Sequence, residues 1–182
     1  MRLGIDLDGV VADFTKGWVT RYNAEHGTAI AESDVTTWGA MVTLTRFHDM
    51  DEFWTWAANG DGPSLFRSLP TYPDAIPALH RLAENHEIVI LTTKPAFAVA
   101  DTEAWLADND VPFHELHITE EKWKIACDVY LDDAPHQIEE LTLERPDRVV
   151  CRFVRPWNQP HPGARDIHDW DEFVALVDRI WC

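Results

Sequence analysis

The chain has 182 residues, 46% of them hydrophobic, and a formal net charge of −17, which suits one compact core with at most an inserted subdomain and is incompatible with disorder. The charge excludes a general nucleic-acid binder, which needs a basic face, and the longest apolar runs, such as Ile88–Leu91, are too short to cross a bilayer. Cys127, Cys151 and Cys182 are scattered without metal spacing, and no signal-peptide pattern follows Met1, so a reducing cytoplasm is the expected setting.

In chain order, Arg2–Asp6 reads as a short apolar strand ending in a polar turn. Residues 14–70 lack strand-like runs but carry Phe14, Trp18, Trp38, Phe47, Phe53, Trp54, Trp56 and Phe66. This stretch is expected to be a mainly helical cap inserted after the first strand. Glu87–Thr92 is a β-branched run suited to a buried parallel strand. Asp101–Asn109 reads as a helix, Leu116–Thr119 as a short strand, Glu120–Cys127 as a helix and Asp128–Leu131 as a strand. Pro135–Glu144 is a helix with proline in its first turn, Arg148–Val154 a strand, and Trp170–Ile180 a closing amphipathic helix with Asp169 as N-cap. Strands alternating with helices imply an α/β fold: a Rossmann-like parallel sheet flanked by helices, formed by residues 1–13 and 71–182, with 14–70 as the cap. A cap placed there would close over the carboxyl ends of the strands, where ligands bind in open α/β sheets.

Four segments carry chemistry. Ile5-Asp6-Leu7-Asp8-Gly9-Val10 places two carboxylates one residue apart after a buried strand, with Gly9 permitting the turn. Tyr130-Leu131-Asp132-Asp133 ends another apolar strand in paired acids. Either pair alone can be a solvated turn. Packed together, these carboxylates would repel strongly unless a cation held them, and hard oxygen ligands with room for water and phosphate suit Mg²⁺. Leu91-Thr92-Thr93-Lys94 puts a hydroxyl at a strand end, where it can bond a phosphate oxygen or simply serve the strand. Lys122 lies ten residues before Asp132, and Lys124 is its local competitor. The chain has only four lysines, Lys16, Lys94, Lys122 and Lys124, and three fall in or beside these segments. Such a cluster, or a metal, is what an acidic protein needs to attract an anionic substrate.

In order and position these four elements resemble the haloacid dehalogenase-like (HAD) phosphatase superfamily over nearly the whole chain. Asp6–Phe14 (DLDGVVADF), Ile90–Pro95 (ILTTKP) and Ile118–Asp133 (ITEEKWKIACDVYLDD) resemble more closely the 5′(3′)-deoxyribonucleotidases, and Leu65–Leu69 followed by Pro70 resembles the end of that family's cap. The cap interior matches poorly, and Ala134 stands where family members often have a basic residue.

The resemblance implies a Mg²⁺-dependent phosphatase acting on nucleoside monophosphates. In it Asp6 would be the nucleophile, Asp8 the general acid and base, and Thr92 and Lys122 the phosphoryl-oxygen ligands. Asp6, the backbone carbonyl of Asp8, and Asp133 would hold Mg²⁺, with Asp132 a direct or indirect ligand. Phe14, eight residues past Asp6, would stack on the base. Trp38, Thr93 and Lys94 are further substrate-binding candidates, with Lys94 equally readable as a solvated lysine. Trp54, Trp56, Phe47 and Phe53 read as cap core, and Arg155-Pro156-Trp157-Asn158 as a rigid loop rather than a rim of the site. His114 and His117 read as strand-edge residues. The resemblance implies a small-molecule nucleotide partner, neither nucleic-acid polymer nor membrane, and it leaves a homodimer open. Two rival readings stay open: a phosphatase of the same superfamily acting on another small phosphate ester, and a phospho-acceptor module without turnover.

Overall fold

The computed structural model describes residues 1–181; Cys182 lies outside them. Six parallel strands form one sheet in the order β3-β2-β1-β4-β5-β6. They are β1 (Arg2–Ile5), β2 (Glu87–Thr92), β3 (Glu115–Ile118), β4 (Val129–Asp132), β5 (Val149–Phe153) and β6 (Ala164–Ile167). The central strands are apolar on both faces, as a sheet covered on both sides requires. Leu3, Ile5, Ile88, Ile90, Leu131 and Cys151 point into one core, which α4 (Ala75–Ala83), α5 (Val99–Asp108) and α7 (Trp170–Trp181) close. Val89, Leu91, Tyr130 and Val150 face the other way, against Ile138 and Leu141 of α6 (Pro135–Glu144). On that second face β1 brings Gly4 against the core: a Cβ there would lie 2.7 Å from Leu91 Cδ1 and 3.1 Å from the Tyr130 ring.

Residues 14–68 hold helices and no strand. α1 (Phe14–His26) is N-capped by Asp13, which accepts from Lys16 N–H at 3.0 Å, and stops at Gly27 with φ 63°. A 3₁₀ turn (Glu32–Asp34), the short α2 (Ala40–Thr43), α3 (Met50–Ala58) and a second 3₁₀ turn (Leu65–Ser68) follow. Trp18, Tyr22 and Phe53 are fully buried among them. The segment leaves and rejoins the sheet side by side: Asp13 N–H donates to the Pro70 carbonyl at 2.7 Å and Tyr72 N–H to the Val11 carbonyl at 2.8 Å. No helix among the described residues is long and apolar enough to cross a membrane.

The expected strands β1, β2, β4 and β5 lie within one residue of the observed bounds, and α6 matches at both ends. Asp169 caps α7, accepting from Glu172 N–H at 2.8 Å. The expected helix over Glu120–Cys127 is absent; only a 3₁₀ turn at Lys122–Lys124 forms. Side chains claim two of the carbonyls such a helix would use: Arg145 Nε takes that of Trp123 at 2.7 Å and Gln137 Nε2 that of Glu120 at 3.0 Å. β6 was not anticipated, since its Ala-Arg-Asp-Ile sequence has no apolar run. It is an edge strand whose Arg165 and Asp166 are exposed. α4 was not anticipated either. It begins after Asp74 in the left-handed region (φ 63°) and carries Pro77 in its first turn, where no N–H is required.

Candidate active site

The strand order reverses direction between β1 and β4, so the connections after these two strands cross on opposite faces of the sheet and open a crevice at their carboxyl ends. Asp6 sits just past β1 and keeps the sheet going by one bond, its N–H donating to the Leu131 carbonyl at 3.0 Å. The chain then folds back tightly. The Leu7 carbonyl accepts from the N–H groups of Val10, Val11 and Ala12 at 3.2, 2.8 and 2.8 Å. Gly9 adopts φ +83°, and a Cβ there would lie 2.2 Å from Asp133 Oδ2. Only glycine allows the β1 turn and the β4 acids to come this close.

Asp132 ends β4 and Asp133 follows it. Asp6, Asp132 and Asp133 are buried, and each offers a carboxylate oxygen within 4.8 Å of the others. Lys122 lies between two of them, 3% exposed, donating through Nζ to Asp6 Oδ1 at 2.8 Å and to Asp132 Oδ2 at 2.6 Å. Burial works against the ammonium, but Asp132 and Asp6 outweigh it and hold the Lys122 pKa above its ordinary value. Burial pushes Asp132 up to about 6, with Lys122 opposing and Asp6 reinforcing the shift. Asp133 is pushed well above the usual carboxylate range by burial and then by the charges of Asp6 and Asp132.

The two members of the pair differ in what remains to be bound. Asp132 commits both oxygens, Oδ2 to Lys122 and Oδ1 to the Ala134 N–H at 2.9 Å. Asp133 gives Oδ2 to Trp157 Nε1 at 2.7 Å, and its buried Oδ1 has no partner. An orphaned carboxylate oxygen in a cluster of hard oxygen donors fits a bound cation. The cluster is thus a candidate metal site.

Asp8 does not join this cluster through its side chain. Its Oδ2 is ion-paired with Lys94, and its Oδ1 has no hydrogen-bond partner. Burial raises the Asp8 pKa, Lys94 opposes that, and Asp6 adds to it. Thr92 is 1% exposed at the end of β2 with its Oγ1 unpartnered, whereas the exposed Thr93 donates its hydroxyl to the Thr119 carbonyl at 3.1 Å.

A cavity of about 280 Å³ joins this polar end to the helical segment. Asp6, Asp8, Thr92, Lys122 and Asp133 line it together with the apolar side chains of Phe14, Trp38, Met41, Met50 and Trp54. Phe14 stacks on Phe66 with centroids 5.8 Å apart. Trp38, 47% exposed, meets His136 of α6 edge-on at 5.4 Å, so the pair spans the cavity between the helical segment and the sheet domain.

The structure therefore brings Asp6, Asp8, Thr92, Thr93, Lys122, Asp133, Phe14 and Trp38 to one cavity, with Asp132 directly behind Lys122. Lys94 neither lines it nor is solvated: its side chain is 2% exposed and ion-paired with Asp8. Two further readings need correction. Trp54 is not plain core but wall, packed between Phe14 and Phe53 at 6.4 and 5.0 Å. The Arg155–Asn158 loop is rigid and also borders the site through Trp157. Asn158, 4% exposed, donates to the Asp133 carbonyl at 2.8 Å, and its Oδ1 accepts from Arg152 Nη1 at 2.8 Å. Arg155 donates to the Gly9 carbonyl at 2.6 Å, its guanidinium 4.0 Å from the Tyr72 ring and 4.2 Å from that of Phe153. His136 also lines the cavity and was not singled out by sequence. Its position in the first turn of the helix after the acid pair was the available signal. His114 and His117 sit at the sheet edge, Nδ1 of His114 accepting from Ile88 N–H at 3.0 Å and Nε2 of His117 lying 2.7 Å from Glu115 Oε2.

Comparison with known proteins places this geometry in context. The model of the family described as 5′ nucleotidase, deoxy (pyrimidine), cytosolic type C protein matches residues 1–180. A Chlorobaculum tepidum protein, provisionally named as a 5′(3′)-deoxyribonucleotidase, is 28% identical over 153 residues, covering 76% of this chain and 72% of its own. The 5′(3′)-deoxyribonucleotidase of Clostridium acetobutylicum is 24% identical over 185 residues, covering 98% of this chain and 95% of its own. Among solved structures, the HAD-hydrolase YfnB of Bacillus subtilis bound to magnesium superposes with a TM-score of 0.64 at 13% identity, over 97% of this chain and 98% of that one. At that identity the likeness is one of fold.

Proposed function

This chain belongs to the family of cytosolic type C 5′-deoxynucleotidases whose model spans it almost end to end, and we propose that it hydrolyses (deoxy)nucleoside monophosphates to nucleoside and phosphate through an aspartyl-phosphate on Asp6. One observation carries the reading. Asp6, Lys122 and the unpartnered Thr92 hydroxyl line a cavity that Phe14, Trp38 and Trp54 also line. That cavity is suited to an ester with an anionic head and a flat, apolar body.

A carboxylate oxygen of Asp6 attacks phosphorus, the bond from phosphorus to the ribose oxygen breaks, and Asp8 gives that oxygen its proton. Asp8 then takes a proton from the water that attacks the acyl-phosphate, and inorganic phosphate leaves. Burial, which raises the Asp8 pKa, favours the protonated form that the first step needs. Lys122 and Thr92 hold the phosphoryl oxygens, Lys122 already standing against the nucleophile at 2.8 Å. Asp6, Asp133 and the backbone carbonyl of Asp8 would hold Mg²⁺, and the unpartnered Asp133 Oδ1 favours Asp133 over the fully bonded Asp132 as direct ligand. When bound there, Mg²⁺ would neutralise the carboxylate cluster and the phosphate charge.

Residues 14–70 act as a cap on a core formed by 1–13 and 71–182, a division supported by the paired crossings at Asp13–Pro70 and Val11–Tyr72. Phe14, Trp38 and Trp54 select a nucleobase, aromatic stacking being worth roughly 1–3 kcal/mol per base.

The test is a panel of ribo- and deoxyribonucleoside monophosphates, sugar phosphates and other small esters, assayed with Mg²⁺ and after its removal by chelation. Multiple turnovers on nucleotides, lost on chelation, are expected. A single stoichiometric phosphorylation would favour a phospho-acceptor, and preference for sugar phosphates would remove the nucleotide assignment. Asp6→Asn should abolish turnover while leaving the melting curve and circular dichroism native; turnover by that variant would sink the nucleophile assignment.

A further inference from the structure

Lys94 follows the two threonines at the end of β2, yet it does not line the large cavity. It reaches Asp8 instead from a separate void of about 10 Å³, bordered also by Leu7, Phe66, Leu69 and Trp105. The Lys94 side chain is 2% exposed, against 24% for that of Asp8. Its Nζ lies 4.3 Å from the centroid of the Phe66 ring, and Asp8 is its one carboxylate partner among the described residues. A lysine this buried is tolerated only when paired. Freezing its four-carbon stem also costs rotamer entropy. A surface ion pair would achieve as much charge compensation without either cost. What the burial adds is rigidity at one oxygen of Asp8.

We propose that Lys94 is a positioning residue for the leaving-group proton. By holding Oδ2 of Asp8 it fixes the carboxyl rotamer and leaves Oδ1, which has no other partner, to exchange the proton. As the bond between phosphorus and ester oxygen breaks, that oxygen takes the proton from Oδ1, and the carboxylate left behind faces the Lys94 ammonium. When water attacks the acyl-phosphate, its proton returns to Oδ1. Lys94 touches neither the phosphate nor the base in this arrangement. The inference rests on the phosphatase reading above.

The experiment compares two esters on one preparation of the whole protein with Mg²⁺. One is a deoxynucleoside 5′-monophosphate, whose alkoxide departs only with a proton. The other is p-nitrophenyl phosphate, whose phenolate departs without one. In Lys94→Met the ratio of nucleotide to p-nitrophenyl kcat/KM should fall by about 10- to 100-fold, since general acid catalysis contributes about 10²–10⁴ and misplacing a group by 1 Å can cost about 10². The ratio cancels the folded fraction, so a partly folded variant still answers. In an Asp8→Asn background the same change should have no further effect on the ratio. Should Met at 94 give no folded protein, Lys94→Gln gives the same readout, with the ratio again expected to fall. An unchanged ratio, or an effect that persists in full beside Asp8→Asn, overturns the proposal. Wild-type protein that hydrolyses neither ester overturns the phosphatase reading itself, whereas an active wild type with an unresponsive ratio overturns only the role of Lys94.

Discussion

At the scale of single residues the site depends on close approach. Two acid-bearing turns meet because Gly9 has no side chain, and a Cβ there would lie 2.2 Å from Asp133 Oδ2 with φ already at +83°. Gly9→Ala must therefore pay twice, once for the left-handed backbone, at about 1–2 kcal/mol, and once for a displaced carboxyl that loses its bond to Trp157. We expect a loss of about 2–4 kcal/mol in unfolding free energy and a larger loss of turnover, because the displaced group is the one with the unpartnered oxygen. Urea unfolding and steady-state rates measured side by side check this, and a native-like variant in both would show the turn to be slack. The acids themselves were legible in sequence, because each pair terminates an apolar run. The partnership of Lys94 with Asp8 was not: the two are 86 positions apart, and only the packing of β2 beside β1 brings them together.

At the scale of elements, sequence was informative where a buried strand or an amphipathic helix writes its period into the chain, and misleading where side chains overrode the backbone. Residues 120–127 look helical by composition, but two of the carbonyls a helix there would use are taken by Arg145 and Gln137. Lys122 owes its place to a 3₁₀ turn and to the pull of two carboxylates rather than to a helix face. The edge strand β6 carries no hydrophobic signal because its bond to the sheet is partly ionic. Arg152 of β5 donates to both oxygens of Asp166 at 2.8 and 2.7 Å. The same guanidinium holds Asn158, and Asn158 holds the carbonyl of Asp133. The sheet edge is thus connected to the acid pair by consecutive hydrogen bonds. Arg152→Met should destabilise the protein by about 2–4 kcal/mol, somewhat less than the 3–5 kcal/mol typical of breaking a fully buried pair, because Asp166 is partly solvated and can return to water. It should also raise the Mg²⁺ concentration needed for half-maximal rate. A metal titration that superimposes on wild type, with stability alone reduced, would separate the edge strand from the site.

At the scale of the whole molecule the net charge of −17 opposes any anionic substrate. The site itself is close to balanced once a divalent cation is present, since the ammoniums of Lys94 and Lys122 stand against the carboxylates of Asp6, Asp8, Asp132 and Asp133. The two fields have different ranges. At about 0.01 M salt the Debye length is about 30 Å, so a nucleotide senses the repulsion of the entire acidic surface; at about 0.15 M it is about 8 Å, and only the cavity and its immediate rim act. Raising ionic strength at saturating Mg²⁺ should therefore increase kcat/KM for a nucleotide, by roughly 2- to 10-fold if encounter is the affected step, while leaving kcat nearly constant. Most nucleotide-binding sites built on basic surfaces would respond with the opposite sign. A fall in kcat/KM with salt would mean that the field of Lys122 and the bound cation already dominates at distance, and that the surplus of acids lies too far from the cavity mouth to matter.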